Sequence, residues 1–109
     1  MVEQGLTIMT DLIKAIAERL REQYGAKEVI LFGSYARGEA TEESDIDLLV
    51  ISETEERFFN RQATVRRLLR DLKRGIPVSP IVLTPAEIEN RKKRGDHFIK
   101  EIIETGIRA

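Results

Sequence analysis

The sequence predicts an α+β domain in which a short mixed β-sheet carries helices packed on it. Short apolar runs alternate with longer amphipathic segments, which is the pattern of strands separated by helices. The segment between the second and third apolar runs is long enough for the crossover that a parallel pair of strands requires. Because the chain has 109 residues, we expect one domain over 1–109.

The composition narrows the class of protein. The 18 Lys and Arg residues nearly balance the 19 Asp and Glu residues, so nothing predicts direct nucleic-acid binding. The lack of cysteine excludes disulfides and thiolate metal sites. No apolar stretch approaches the roughly 20 residues that a membrane span needs, and residues 1–10 show no signal peptide. We therefore expect a soluble cytoplasmic protein that does not bind membranes.

The first half of the chain predicts one helix and two strands. An amphipathic helix ends at Gly25, and its apolar positions are Leu6, Met9, Leu12, Ile13, Ile16 and Leu20. Residues 28–33 form a buried strand, and residues 34–44 form a polar connection whose segment 35–37 is predicted as the start of a short helix. Residues 44–51 first alternate and then become continuously apolar. This change predicts a strand with one end in water and the other in the core.

The second half predicts three helices and a strand. A crossover helix over 55–74 is closed by Gly75, with apolar positions Phe58, Phe59, Val65, Leu68, Leu69 and Leu72. The strand over 77–84 contains Pro80, which predicts an edge position or a bulge. Residues 84–87 (TPAE) have the signature of a capping box, which predicts a helix through Arg91. A last helix opens at Asp96 and ends at Gly106, with apolar positions Phe98, Ile99, Ile102 and Ile103.

Two carboxylates lie close together at the start of the second strand. Asp45 and Asp47 are two residues apart, so both side chains leave the same face of the strand, while Ile46 and Leu48 point into the core. Like charges this close repel unless a cation or hydrogen-bond donors neutralise them. Mg²⁺ prefers such oxygen ligands, together with substrate phosphates. Taken alone, the pair also fits a solvated strand end after a turn.

The preceding strand ends in a glycine and a serine. Gly33 would let the backbone approach a phosphate group, and Ser34 offers a hydroxyl and an N–H group. A lone Gly-Ser pair is also an ordinary exit from a strand. The combination is more specific, because ten residues separate this turn from an Asp-x-Asp motif that opens another buried strand. The sequence thus predicts a phosphate site beside a pair of metal ligands.

Residues 31–38 (LFGSYARG) and 44–50 (SDIDLLV) resemble the minimal nucleotidyltransferase family of the DNA polymerase β superfamily. The similarity covers most of the chain and implies a nucleotidyltransferase-like fold. It implies that Gly33 and Ser34 hold the β- and γ-phosphates of ATP and that Asp45 and Asp47 bind Mg²⁺. Arg37, directly before Gly38, matches an arginine characteristic of the motif.

The resemblance also implies a partner. Many members of that family are encoded beside a HEPN-domain protein, and some are antitoxins that transfer AMP to a tyrosine of this partner. A HEPN-type partner or a second copy of the chain is therefore expected.

One position departs from the family pattern. Ser79 stands where active members carry a third carboxylate, and a hydroxyl is a poor substitute for a charged metal ligand. Two functions stay open: transfer of a nucleoside monophosphate from Mg–ATP to a hydroxyl, with Asp45, Asp47 and Ser79 at the reaction centre, or a catalytically weak or inactive subunit that binds a HEPN-type partner.

Several other residues have two interpretations each. Arg37 could neutralise phosphates or pair with Glu39 or Glu42, and Tyr35 could stack on a base or pack in the fold. Residues 91–94 (RKKR) fit the end of a helix, and His97 fits a first helical turn. The basic residues of the crossover helix predict a solvated face, or else a docking face for an acidic partner: Arg61, Arg66, Arg67, Arg70, Lys73 and Arg74.

Overall fold

The computed structural model describes residues 2–72 and 75–109, with side chains from residue 9 onward. Its elements are α1 (Val2–Gln23), β1 (Ala26–Phe32), α2 (Gly33–Arg37), β2 (Ile46–Ser52), α3 (Phe58–Leu68), β3 (Val78–Leu83), α4 (Pro85–Lys93), α5 (His97–Thr105) and β4 (Ile107–Arg108). The side chain of Leu6, and Lys73 and Arg74 of the predicted crossover helix, lie outside the described residues. Among the described helices, none is both long and apolar enough to cross a membrane.

The sheet is mixed, as predicted, and its strand order is β3-β2-β1-β4. β1 runs antiparallel to β2, whereas β2 runs parallel to β3 after the crossover through α3. β3 is an edge strand, which confirms the prediction made from Pro80. The sequence analysis missed β4, which pairs with β1 through Ile107 and Arg108 only.

Helices cover both faces of the sheet. α1 and α3 pack on one face, where β2 contributes Ile46, Leu48 and Val50. α4 and α5 pack on the other face, where β2 contributes Leu49 and Ile51. Since side chains alternate along a strand, Asp47 belongs to the face that α4 and α5 cover. The continuous apolar run of β2 is therefore buried from both sides of the sheet, and it lies in the core as predicted.

The crossover helix is shorter than the predicted 55–74. It begins at Phe58 because the residues before it form a turn, in which the Glu56 N–H group donates to Thr54 Oγ1 at 3.1 Å. The Glu56 carbonyl accepts from Arg61 Nε at 3.0 Å, so it is held by a side chain. The assignment of Phe59 to the apolar stripe is also wrong, because its side chain is 88% exposed.

Arg61 contradicts the prediction of a solvated basic face. It is only 6% exposed, and its guanidinium donates to the Val82 carbonyl at 3.1 Å and to Glu87 Oε1 at 2.6 Å. Glu87 Oε1 also accepts from the Thr84 N–H group at 2.8 Å, which completes the predicted capping box. Arg61 therefore joins α3 to the start of α4, and it is part of the fold.

The two predictions for the end of the chain are confirmed. Basic residues of the 91–94 run occupy the last turn of α4. His97 is the first residue of α5, after Asp96, whose side chain caps the helix by accepting from the Ile99 N–H group.

Candidate functional site

Three neighbouring strands place side chains from the predicted site in one row across the sheet. Asp47 of β2 lies opposite Phe32 of β1 on one side and opposite Ser79 of β3 on the other. Directly opposed residues of paired strands project from the same face. Asp45, two residues earlier, shares that face, and Ser79 Oγ donates a hydrogen bond to Asp45 Oδ2 at 2.8 Å. The structure thus brings together Asp45, Asp47 and Ser79, and these residues together with Phe32 are called the row.

The carboxylates of this row are poorly neutralised by the protein. Partial burial and the nearby charge of Asp45 raise the pKa of Asp47, and Arg37 offsets this only in part. Both causes disfavour the ionised form of Asp47, so a bound cation would relieve them. Clusters of this kind, with a perturbed pKa in a partly open position, are common at functional sites.

Gly33 packs directly against Asp47. Its φ of 75° lies in the left-handed region, which favours glycine. A Cβ atom at this position would clash with the Asp47 carboxylate. The sequence analysis assigned Gly33 to phosphate approach alone, but the glycine also makes room for the carboxylate.

The rest of the motif loop, residues 33–38, forms α2 and the turn that ends it. The Ser34 carbonyl accepts from the Glu39 N–H group at 2.9 Å, and Gly38 ends the helix with a left-handed conformation. Arg37 Nε lies 3.0 Å from Glu39 Oε2, which matches the surface pairing considered from the sequence. Its charge also offsets part of the rise in the pKa of Asp47, which means that it acts on the carboxylate pair as well. Tyr35 packs against the core under α1 and α3, in line with its packing interpretation.

The donor set of the row fits Mg²⁺. Asp45 and Asp47 offer hard carboxylate oxygens, whose mutual repulsion a divalent ion would neutralise. In the part of the chain that the structure describes, no group of three Asp, Glu, His or Cys side chains is arranged to hold a metal. Two carboxylates with substrate phosphates as further ligands is a typical Mg²⁺ environment. The site therefore suits a metal that arrives together with a phosphorylated substrate.

A cleft of about 310 Å³ lies beside the row, between α2 and α5. Gly33 and Arg37 line it on one side, and Phe98 and Glu101 of α5 line it on the other, with Phe32 between them. The sequence analysis placed Phe32 and Phe98 only as strand and helix residues, because their spacing fits packing. A larger cavity of about 420 Å³ by the start of α5 shares no residue with the row.

Comparisons with known proteins agree with this geometry. The sequence profile of the nucleotidyltransferase domain matches residues 13–108. Two Methanocaldococcus jannaschii proteins, each named as a putative protein adenylyltransferase, are similar to this chain. MJ0604 is 38% identical, and the match covers 86% of this chain and 90% of MJ0604. MJ1305 is 33% identical, and the match covers 74% of this chain and 58% of MJ1305. The chain thus spans little more than half the length of MJ1305.

A solved structure is similar as well. The crystal structure of a putative nucleotidyltransferase from Sulfolobus solfataricus superposes with a TM-score of 0.57 at 32% identity. The superposition covers 85% of this chain and 78% of that one.

Proposed function

We propose that this chain, which belongs to the nucleotidyltransferase domain family, transfers AMP from Mg–ATP to a hydroxyl group of a protein. The observation that carries the proposal is the packing of Gly33 against Asp47 within the row that also holds Asp45. A glycine that would let the backbone approach phosphates then lies next to two carboxylates whose repulsion Arg37 offsets only in part. The names of the similar M. jannaschii proteins support a protein as the acceptor.

Each site residue has a role in this proposal. Asp45 and Asp47 would hold Mg²⁺, which when bound neutralises negative charge on the phosphates. Gly33 and Ser34 would hold the β- and γ-phosphates with backbone and hydroxyl donors. Arg37 is exposed and already interacts with the charge of Asp47, so it can turn from Glu39 to a phosphate oxygen.

The transfer itself is a displacement at the α-phosphorus of ATP. The acceptor oxygen forms a bond to this phosphorus, the bond to the oxygen bridging the α- and β-phosphates breaks, and pyrophosphate leaves. The acceptor hydroxyl loses its proton, and the carboxylates of the row are the nearest protein groups proposed to accept it. The protein acts mainly by positioning and charge stabilisation, which supply most of the acceleration in phosphoryl-type chemistry.

The proposal also includes the acceptor group, the partner protein and the cellular compartment. A tyrosine hydroxyl of a HEPN-type partner, in a toxin–antitoxin pair, is the acceptor that the resemblance of residues 31–38 and 44–50 favours. A second copy of the chain is the alternative partner. The lack of cysteine fits a reducing compartment, so we place the reaction in the cytoplasm.

A second candidate function rests on Ser79. Its hydroxyl lies 2.8 Å from Asp45, at the position where a third carboxylate would complete the site. A neutral hydroxyl leaves a second metal with one ligand fewer, and only the two carboxylates that would hold Mg²⁺ are then left to accept the proton of the acceptor hydroxyl. The chain would then be a weak or inactive subunit that binds the nucleotide and the partner.

Label transfer from [α-³²P]ATP to the protein encoded next to this one tests the proposal and separates the two functions. We expect slow Mg²⁺-dependent labelling by the wild-type chain, faster labelling by Ser79→Asp and none by Asp45→Asn/Asp47→Asn. Binding of Mg–ATP with no labelling by either the wild type or Ser79→Asp would favour the inactive subunit. Labelling that the double Asn variant retains would refute the assignment of the site.

A further inference from the structure

We propose that the cleft between α2 and α5 binds the nucleobase of the substrate, with the Phe98 ring as its stacking surface. This inference rests on the proposed function, because it assumes that a nucleotide occupies the neighbouring row. It adds a specificity-determining residue outside the sequence motif. The cleft has room for a flat ring, at the small end of the range for ligand pockets.

Continuity with the phosphate site is the first argument. Gly33 and Arg37 line the cleft, and both also act on Asp47: Gly33 by contact and Arg37 through its charge. Phe32, another lining residue, is the direct neighbour of Asp47 across the sheet. Adjacent strands lie about 4.8 Å apart, so the cleft begins one strand away from the carboxylates. A nucleotide needs such a neighbouring space, because its ribose separates the base from the phosphates.

The exposure of Phe98 is the second argument. Its side chain is 50% exposed, although the other apolar positions of α5 that face the sheet, Ile99 and Ile102, are buried. Its ring meets the Phe32 ring edge to face, with centroids 5.7 Å apart. An edge-to-face pair leaves ring surface uncovered, and a base stacked on such a surface typically gains about 1–3 kcal/mol.

The polar lining gives the class of base. Glu101 and Thr105 are one turn apart on α5 and both line the cleft. The Thr105 hydroxyl donates its proton to the Glu101 carbonyl, so its oxygen can act only as an acceptor for a ligand. The Glu101 carboxylate is also an acceptor. Two acceptors favour a base with an exocyclic amino group, such as adenine, over uracil.

Calorimetric titration of Mg–ATP and of Mg–tripolyphosphate separates this inference from the proposed function. The variant is Phe98→Ala, and the matched control is Phe59→Ala, which removes an exposed ring on α3 that does not line the cleft. We expect Phe98→Ala to weaken Mg–ATP binding about 5- to 150-fold, the equivalent of the stacking gain. Its affinity for tripolyphosphate, and both affinities of Phe59→Ala, should match the wild type.

Each contrary result has a distinct meaning. An unchanged Mg–ATP affinity of Phe98→Ala, or an equal loss for both ligands, would overturn the base subsite and leave the phosphate site intact. A wild-type chain that binds neither ligand would overturn the proposed function together with this inference. If Phe98→Ala fails to fold, Phe98→Leu keeps an apolar side chain without the planar face, and the same selective loss is expected of it.

Discussion

Two clusters of charged side chains in this molecule differ in how their charges are balanced. Arg61 and Glu87 form an ion pair at 2.6 Å, and both side chains have further hydrogen bonds to the backbone. Asp45 and Asp47 carry charges of the same sign. Among the residues that the structure describes, their side chains accept one hydrogen bond, which the Ser79 hydroxyl donates to Asp45.

The pKa directions follow this difference. Burial raises the pKa of Glu87, but the hydrogen bond and charge of Arg61, together with the hydrogen bonds from Thr84, outweigh it, and the net pKa is lowered. Burial and Asp45 together raise the pKa of Asp47. The charges of the first cluster balance each other within the fold, whereas those of the second would be balanced only by a bound cation. This contrast is the physical reason for placing the function at the aspartates.

The largest expected effect is the loss of transfer on neutralising either aspartate. Asp45→Asn and Asp47→Asn should each lower the transfer rate by at least about 100-fold, the scale of losing one charge-stabilising group. Their melting temperatures without Mg²⁺ should equal or exceed that of the wild type, because repulsion is removed. Rate assays with thermal melts check both. Asp71→Asn, which removes a charge from the surface ion pair with Arg19, is the control. It should change neither the transfer rate nor the dependence of that rate on Mg²⁺.

Breaking the balanced cluster should act on stability. Arg61→Ala removes the ion-pair partner of Glu87 and the side-chain donor of two carbonyls, so we expect a loss of about 2 kcal/mol in the free energy of unfolding. Chemical denaturation measures this loss. Arg70→Ala, on the exposed part of the same segment, should change stability by less than about 0.5 kcal/mol. Equal effects of the two variants would contradict a structural role for Arg61.

Two glycines of the motif loop sharpen the comparison further. Gly33 and Gly38 both have positive φ, so replacement by alanine strains the backbone at each, by roughly 1 kcal/mol. Only at Gly33 would the new Cβ meet Asp47, since nothing lies within 4 Å at Gly38. We expect Gly33→Ala to lose Mg–ATP binding and Gly38→Ala to keep most of it. Equal losses would show that the backbone strain, and not the contact with Asp47, matters.

The smallest expected effect is on the pH dependence of stability in Mg²⁺-free buffer. The pKa of Glu87 is lowered below its ordinary 4.5, so its stabilisation is present above that pH and is lost as the pH falls through the native pKa. The pKa of Asp47 is raised above 3.8, so ionisation of Asp47 costs stability as the pH rises through the native pKa.

Variants at these two positions should therefore respond in opposite directions. Glu87→Gln should lower the melting temperature at neutral pH and less so in acid. Asp47→Asn should raise it at neutral pH and less so in acid. Melting curves from pH 3 to 7 measure both; a shift of the same sign for the two variants at neutral pH would contradict the comparison.

Much of the fold could be predicted from local patterns. The pattern of residues 44–51 predicted a strand with one end in water, and the capping box at Thr84 predicted the start of α4. Pro80 indicated the edge position of β3. These features are local because each depends on a few consecutive residues.

What could not be predicted depends on distant contacts. Arg61 has the composition of a surface residue, and only the approach of Val82 and Glu87 makes its burial favourable. β4 is two residues long and exists because β1 offers an open edge. The position of Phe98 in the cleft wall could not be predicted either, because it depends on the packing of α5 against the end of β1.

The site divides in the same way. The motif and the third strand gave the candidate residues, and the strand register brings Asp45, Asp47 and Ser79 together. The contact between Gly33 and Asp47 is again a long-range feature, because it joins the start of α2 to the start of β2.

Calorimetric titration of Mg–ATP into the wild type and into Asp45→Asn/Asp47→Asn, with and without Mg²⁺, tests the central claim most directly. We predict that the wild type binds ATP more tightly with Mg²⁺ than without it, and that the double variant loses this dependence while keeping its fold. An unchanged Mg–ATP affinity in the double variant would contradict the claim that these two carboxylates form the metal–nucleotide site.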